Sequence, residues 1–163
     1  MASMKSQTHL TMSEAQTIEM GKIIGSSLMP GDIVILIGDL GAGKTRLAKG
    51  IVSAAAGIDQ DEVVSPSFSL INRYEGDMVV DHADLYRLTD QQVNDLGVYD
   101  VLDEAALIIE WGHFRESHDD RELQVVIRYA EEEDSRLIEL SYACDGSWDK
   151  RLTTRLREFE LIQ

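Results

Sequence analysis

Gly38-Asp39-Leu40-Gly41-Ala42-Gly43-Lys44-Thr45 fits the spacing G-x-x-x-x-G-K-[ST], and residues of these types at these intervals suit phosphate chemistry. Glycines let backbone N–H groups curl around an anion where a Cβ would obstruct. The start of a following helix adds partial positive charge and unpaired donors at the same place. In such a loop the amides from Asp39 through Gly41, Ala42 and Gly43 form the cradle. Lys44 reaches the β- and γ-phosphates as a point charge, and the Thr45 hydroxyl ligates Mg²⁺. The pattern implies a nucleoside triphosphate site.

The loop works only between a strand and a helix. Ile33-Val34-Ile35-Leu36-Ile37 reads as a buried strand before it, and residues 46–56 read as a helix after it, ended by Gly57-Ile58-Asp59. Upstream, Ser13-x-x-Gln16 has the form of a capping box. It opens a helix through about Leu28 with Ile18, Ile23, Ile24 and Leu28 as its apolar face, and Pro30-Gly31-Asp32 turns the chain into the strand. Residues 1–10 read as a lead-in that could end in a strand.

Downstream, Ser67–Tyr74 and Met78–Asp81 read as strands joined by Glu75-Gly76-Asp77. Residues 89–103 are polar and suit short helices, and Ala105–Ile109 returns to a buried strand. Leu123–Tyr129 alternates cleanly and pairs with Leu137–Tyr142 across the acidic turn Glu131–Ser135; a last helix runs from about Trp148 to Leu161. The expected fold is α/β: one P-loop NTPase-like domain over residues 1–163, with a mixed central sheet, flanking helices and an antiparallel C-terminal hairpin.

Composition narrows the function classes. Fifteen basic against thirty acidic residues give a net charge of −15, a field that repels phosphodiester backbones, so little direct nucleic-acid binding is expected. Lys150, Arg151, Arg155 and Arg157 cluster on the last helix, where favourable contact with the helix dipole is the expected use. The apolar runs are about five residues long, too short for a membrane helix, and the first dozen residues lack a signal-peptide core. Cys144 is the only cysteine, so no internal disulfide forms, and His9, His82, His113 and His118 show no zinc-ligand spacing. A cytoplasmic setting is expected.

A triphosphate site also needs an acid at the end of a neighbouring strand to hold Mg²⁺ directly or through water. Leu107-Ile108-Ile109-Glu110 is one apolar run ending in a carboxylate. Met78-Val79-Val80-Asp81 is another, with Asp84 three residues on. Ligands gather at the carboxyl ends of strands in α/β sheets, so spacing leaves these candidates open beside the alternative of solvated, loop-capping acids. Ser65-Pro66-Ser67-Phe68 places hydroxyls on a loop that Pro66 stiffens, which suits a nucleotide-sensing switch and equally a plain strand-entry turn.

Taken in order, the glycine loop, Ser65-Pro66-Ser67-Phe68, His82-Ala83-Asp84-Leu85-Tyr86-Arg87-Leu88 and Glu110-Trp111 resemble the TsaE (formerly YjeE) family. These are small P-loop ATPases of bacterial tRNA threonylcarbamoyladenosine biosynthesis. The likeness covers about residues 10 to 112 and continues beyond only in outline. It implies ATP and Mg²⁺ as ligands, and hydrolysis that is weak alone and stronger beside a TsaD-type transferase and a TsaB-type partner. The threonylcarbamoyl transfer itself belongs to the transferase.

Carried over by position, the resemblance makes Lys44 and Asp84 the catalytic residues, with Asp84 orienting water or metal near the γ-phosphate in preference to Asp81. Asp39, Gly41, Ala42, Gly43, Lys44, Thr45 and Asp84 hold the nucleotide, and Thr45 and Glu110 attend the metal. Position 67 is Ser where the family more often has Thr, which keeps the hydroxyl and loses a methyl. Trp111 sits beside the site or serves a partner, with ordinary core packing as the alternative. Phosphoryl transfer gains ~10³–10⁵ in rate from an added arginine, and Arg46, Arg73 and Arg87 are the internal candidates. Arg46 and Arg73 read better as surface salt-bridge formers.

Two other classes fit the same loop. A small-molecule kinase would carry an arginine-rich lid, yet residues 88–106 hold no lysine or arginine. A binding module that signals by its bound state would use the same pocket with negligible hydrolysis. No Asn-Lys-x-Asp segment reads guanine, so ATP is the expected nucleotide.

Overall fold

The computed structural model describes residues 3–39, 41–111 and 120–162. Leu40, His113 and His118 lie outside the described residues, as does the side chain of Trp111. In chain order the elements are β1 (Met4–Thr11), α1 (Glu14–Ser26), β2 (Ile33–Ile37), α2 (Lys44–Ala56), β3 (Ile71–Glu75) and β4 (Val79–Asp84). Then follow α3 (Asp90–Leu96), β5 (Ala105–Trp111), β6 (Glu122–Tyr129), β7 (Arg136–Ala143) and α4 (Ser147–Ile162). The strands form one mixed sheet in the order β1-β7-β6-β2-β5-β4-β3. β2 lies between β5 and β6 and runs parallel to both, and β6 and β7 form the antiparallel hairpin.

Alternation along the strands sorts side chains onto two faces. Val34 and Leu36 of β2 share a face with Val80, Ala106, Ile108, Leu123, Val125 and Ile127, and α1, α2 and α4 pack there. Leu36, Leu47 and Ile51 are wholly buried in that layer, each contributing about 1.5–3 kcal/mol. Ile33, Ile35, Ile37, Ala83, Leu107 and Ile109 face the other way, under Val93 of α3 and Val98 of the 3-10 stretch that follows it.

α1 and α2 approach closely because glycines meet at the crossing. A Cβ on Gly21 would run into the Leu47 carbonyl, and one on Gly50 into the Ile18 carbonyl. The buried stripe of α1 is therefore Thr17, Met20, Gly21, Ile24 and Gly25, with Ile18 and Ile23 only half-buried, a rotation from the expected face. Backbone contact across small residues outranked side-chain hydrophobicity there. At the start of α1, Ser13 accepts from the Gln16 amide at 3.1 Å, while the Gln16 side chain caps the Met12 amide at 2.7 Å instead of closing the box on Ser13.

Four further expectations shift. The lead-in is a full edge strand, paired with β7 from Met4–Ala143 to Thr11–Arg136. β3 begins only at Ile71, because residues 67–69 turn and Leu70 takes a positive φ of 68°. β4 in turn continues to Asp84, three residues beyond its expected end. The last turn of α4 holds no basic residue, and Arg151 lies near the helix start, bound to buried Asp32. A buried carboxylate is a stronger partner than a helix end.

Candidate nucleotide site

β2 ends at Ile37 and α2 begins at Lys44, so the glycine loop spans the carboxyl end of the central strand. Gly43 caps α2 with φ 114°, a backbone state that favours glycine and lets the loop enter the helix directly. Lys44 is buried, and its ammonium donates to the Gly38 carbonyl and to that of Asp39 at 3.2 Å. The Tyr86 ring lies 5.3 Å from the same nitrogen, a cation–π contact.

Strand register decides which acids reach this loop. Leu36 of β2 pairs with Glu110 of β5, and Asp84 of β4 pairs with Glu110 in turn. Both acids occupy the face shared with Leu36, Val80, Ala106 and Ile108, the face that α2 covers. Asp81 has odd parity and points to the opposite face. There it takes a two-point ion pair from Arg73 at 2.9 and 3.1 Å, which holds the Arg73 guanidinium above its ordinary pKa. Arg73 also meets Glu104, and Arg46 pairs with Glu14. Arg87 is exposed.

A cleft of about 400 Å³ opens over the loop, lined by Gly41, Gly43, Lys44, Thr45, Ser65, Ser67, Asp84, Tyr86 and Glu110, with Arg46 and Lys49 at its margin. Of the residues read from the sequence, Gly41, Gly43, Lys44, Thr45, Asp84 and Glu110 are brought together here. Ala42 is buried behind the loop, and Asp39 lines a separate shallow hollow on the β6 side. Glu110 is only 4% exposed and its Oε2 lies 2.8 Å from Nε2 of wholly buried His82. One Asp84 oxygen accepts from the Tyr86 amide at 3.2 Å. Thr45 and Glu110 offer hard oxygen donors to one cleft, the chemistry Mg²⁺ takes, so the residues present fit that ion.

The roles of three residues at this end escaped the sequence reading. Arg136 is buried, and its Nε donates 2.7 Å to the Ala42 carbonyl, while its remaining bonds go to the carbonyls of Glu133 and Ser135. Its guanidinium stacks 4.5 Å from the Tyr129 ring, the residue opposite it in the β6–β7 register. A trans peptide points its C=O and N–H in opposite directions, so fixing the Ala42 carbonyl also fixes the Gly43 amide. His82, the partner of Glu110, is the third. Only strand register signals any of them.

The chain is similar to known proteins over most of its length. Residues 11–138 match the family model described as threonylcarbamoyl adenosine biosynthesis protein TsaE. The tRNA threonylcarbamoyladenosine biosynthesis protein TsaE of Bacillus subtilis is 33% identical over 163 residues, covering 98% of this chain and 99% of that one. The protein of the same name from Rickettsia conorii is 37% identical over 105 residues, and the match spans 63% of this chain and 59% of the relative. Among solved structures, Bacillus subtilis YdiB superposes with a TM-score of 0.69 at 27% identity, over 98% of this chain and 97% of that one. From four motifs in one cleft and a family match over most of its length, this chain belongs to the TsaE family.

Proposed function

We propose that this chain, working as one domain, is the ATP-binding and ATP-hydrolysing subunit of tRNA N6-threonylcarbamoyladenosine modification, beside TsaD-type and TsaB-type partners. The observation that carries the reading is the convergence of Lys44, Thr45, Asp84, Glu110 and the Ser65/Ser67 loop on one cleft at the carboxyl end of β2. The amides of the loop and the first turn of α2 receive the phosphates, and Lys44 exchanges its two carbonyl acceptors for phosphate oxygens. Thr45 and Glu110 would hold Mg²⁺, which when bound neutralises charge on the β- and γ-phosphates. Asp84 orients the attacking water, its second oxygen remaining after the Tyr86 amide takes the first. Arg136 keeps the Gly43 amide aligned throughout.

The chain supplies few cations to a transition state that concentrates negative charge. Arg73 is paired on the opposite face and Arg46, at the cleft margin, is held by Glu14, which supports slow turnover alone and stimulation by a docked partner. At a net charge of −15 the tRNA is contacted by the partners and not by this subunit. Among the described residues no helix is long and apolar enough to cross a membrane, which fits work in the cytoplasm.

The test is phosphate release from ATP by the chain alone and with TsaB- and TsaD-type proteins. Weak release that rises on adding the partners is expected. Unchanged release, or phosphate transferred to a small acceptor, would contradict the proposal and favour a kinase.

A further inference from the structure

His82 is wholly buried on the face that α2 covers, among Val80, Ala106 and Ile108. A side chain present for packing alone would be apolar there. Its Nδ1 has no hydrogen-bond partner among the described residues, a cost that an aliphatic side chain would avoid. What the imidazole gains is one bond, 2.8 Å between Nε2 and Oε2 of Glu110. An ionised carboxylate only accepts, so the neutral tautomer that makes this bond carries its hydrogen on Nε2 and leaves the unpartnered Nδ1 a bare acceptor, the less costly atom to leave alone.

The register explains the reach. His82 pairs with Ile108 and Asp84 with Glu110, so on this face His82 stands one pleat behind Asp84. Glu110 leans back diagonally across the strands to meet it. Oε2 is thereby committed, and Oε1 is the oxygen left to the cleft that Thr45 also lines.

We infer that His82 is a positioning residue for the metal site. It locks the Glu110 carboxylate in the rotamer that presents one oxygen to a divalent cation. This rests on the proposed Mg²⁺-nucleotide reading of the cleft. It assigns work to the one polar residue of the His82–Leu88 segment that touches neither nucleotide nor solvent.

Two variants separate positioning from packing. His82→Leu keeps volume and removes the donor; His82→Gln places an amide N–H near the position of Nε2. ADP affinity is measured for each by calorimetry, in EDTA and in excess Mg²⁺, alongside the denaturation midpoint. The expected result is that Mg²⁺ tightens ADP binding to the native chain, and that His82→Leu loses about tenfold or more of that gain. Its EDTA affinity should stay near native, and His82→Gln should restore much of the loss. Nitrogen-15 spectra of the ligand-free native chain should show the Nε2–H tautomer, and Glu110→Gln should shift that signal.

Full Mg²⁺ enhancement in His82→Leu overturns the inference, as does an equal loss with and without Mg²⁺, or an Nδ1–H tautomer in the ligand-free chain. If the native chain binds ADP but gains nothing from Mg²⁺, the metal reading of the cleft falls first and takes the inference with it. Should His82→Leu fail to fold, His82→Gln and the tautomer still decide.

Discussion

Buried carboxylates stand at opposite ends of the central strands in opposite circumstances. Asp32, at the amino end of β2, is fully enclosed and saturated. It accepts from Arg121 at 2.8 Å, from Arg151 through both terminal nitrogens, and from the Met29 amide at 2.7 Å. Trp148 closes that end, its indole donating to the Arg121 carbonyl at 2.9 Å with Arg151 stacked 4.3 Å from its ring. Glu110, at the carboxyl end of β5, is almost as deeply buried, and among the described residues its side-chain partner is His82. A carboxylate surrounded by arginines ties α4 and β6 to the strand. A carboxylate held by one imidazole beside an open cleft keeps an oxygen for a ligand.

The largest effects should therefore cross over. Asp32→Ala strips Arg121, Arg151 and the Met29 amide of their shared acceptor and should cost about 3–5 kcal/mol of folding stability in denaturant titrations. Glu110→Gln should stay within about 1 kcal/mol of the native midpoint while losing Mg²⁺-dependent nucleotide binding. Equal destabilisation by both would erase the distinction between the two ends.

The next contrast is Asp84 against Asp81. Asp84→Asn should lower phosphate release by about 10²-fold or more with little change in ADP affinity. Asp81→Asn, on the opposite face, should leave turnover near native. A matching loss in Asp81→Asn would mean that sheet parity does not govern the site.

That pair also measures what the chain discloses by itself. The apolar run before the glycine loop, the glycine after α2 and the alternating β6 made the central architecture readable, because burial on both faces or on one writes itself directly into residue type. The choice between Asp81 and Asp84 depends on where β4 ends and which pleat each occupies, and a strand expected to stop at Asp81 hides that parity. β1 alternates mostly polar residues, since an edge strand covered on little of its surface needs few apolar ones. Arg136 reaches the loop only through the β6–β7 register, which no local pattern states. The close crossing of α1 and α2 rests on glycines that hydrophobic periodicity does not count.

A smaller effect is expected behind the loop. Arg136→Met keeps the aliphatic stem and removes the bond to the Ala42 carbonyl, so ATP and ADP should both bind about tenfold more weakly, a loss of about 1.4 kcal/mol. Unchanged affinity would show that the loop holds its shape without the arginine.

The smallest effect lies far from the site. The Lys5 ammonium, 3.0 Å away, holds the Asp149 carboxyl below its ordinary value of 3.8. A depressed folded pKa gives stability that is present above the unfolded value and is lost as pH falls through the folded one. Lys5→Met should thus change the unfolding curve slightly above pH 4 and not at all in strong acid, where Asp149 is protonated in both chains. A larger difference in acid than at neutral pH would reverse that assignment.

The most direct test of the carboxyl-end site is calorimetric titration of ATP, with and without Mg²⁺, into the native chain and Lys44→Ala. Binding that Mg²⁺ tightens in the native chain and that vanishes in a folded Lys44→Ala is the predicted result. Equal binding by both chains, or none by the native one, would contradict a nucleotide site at the end of β2.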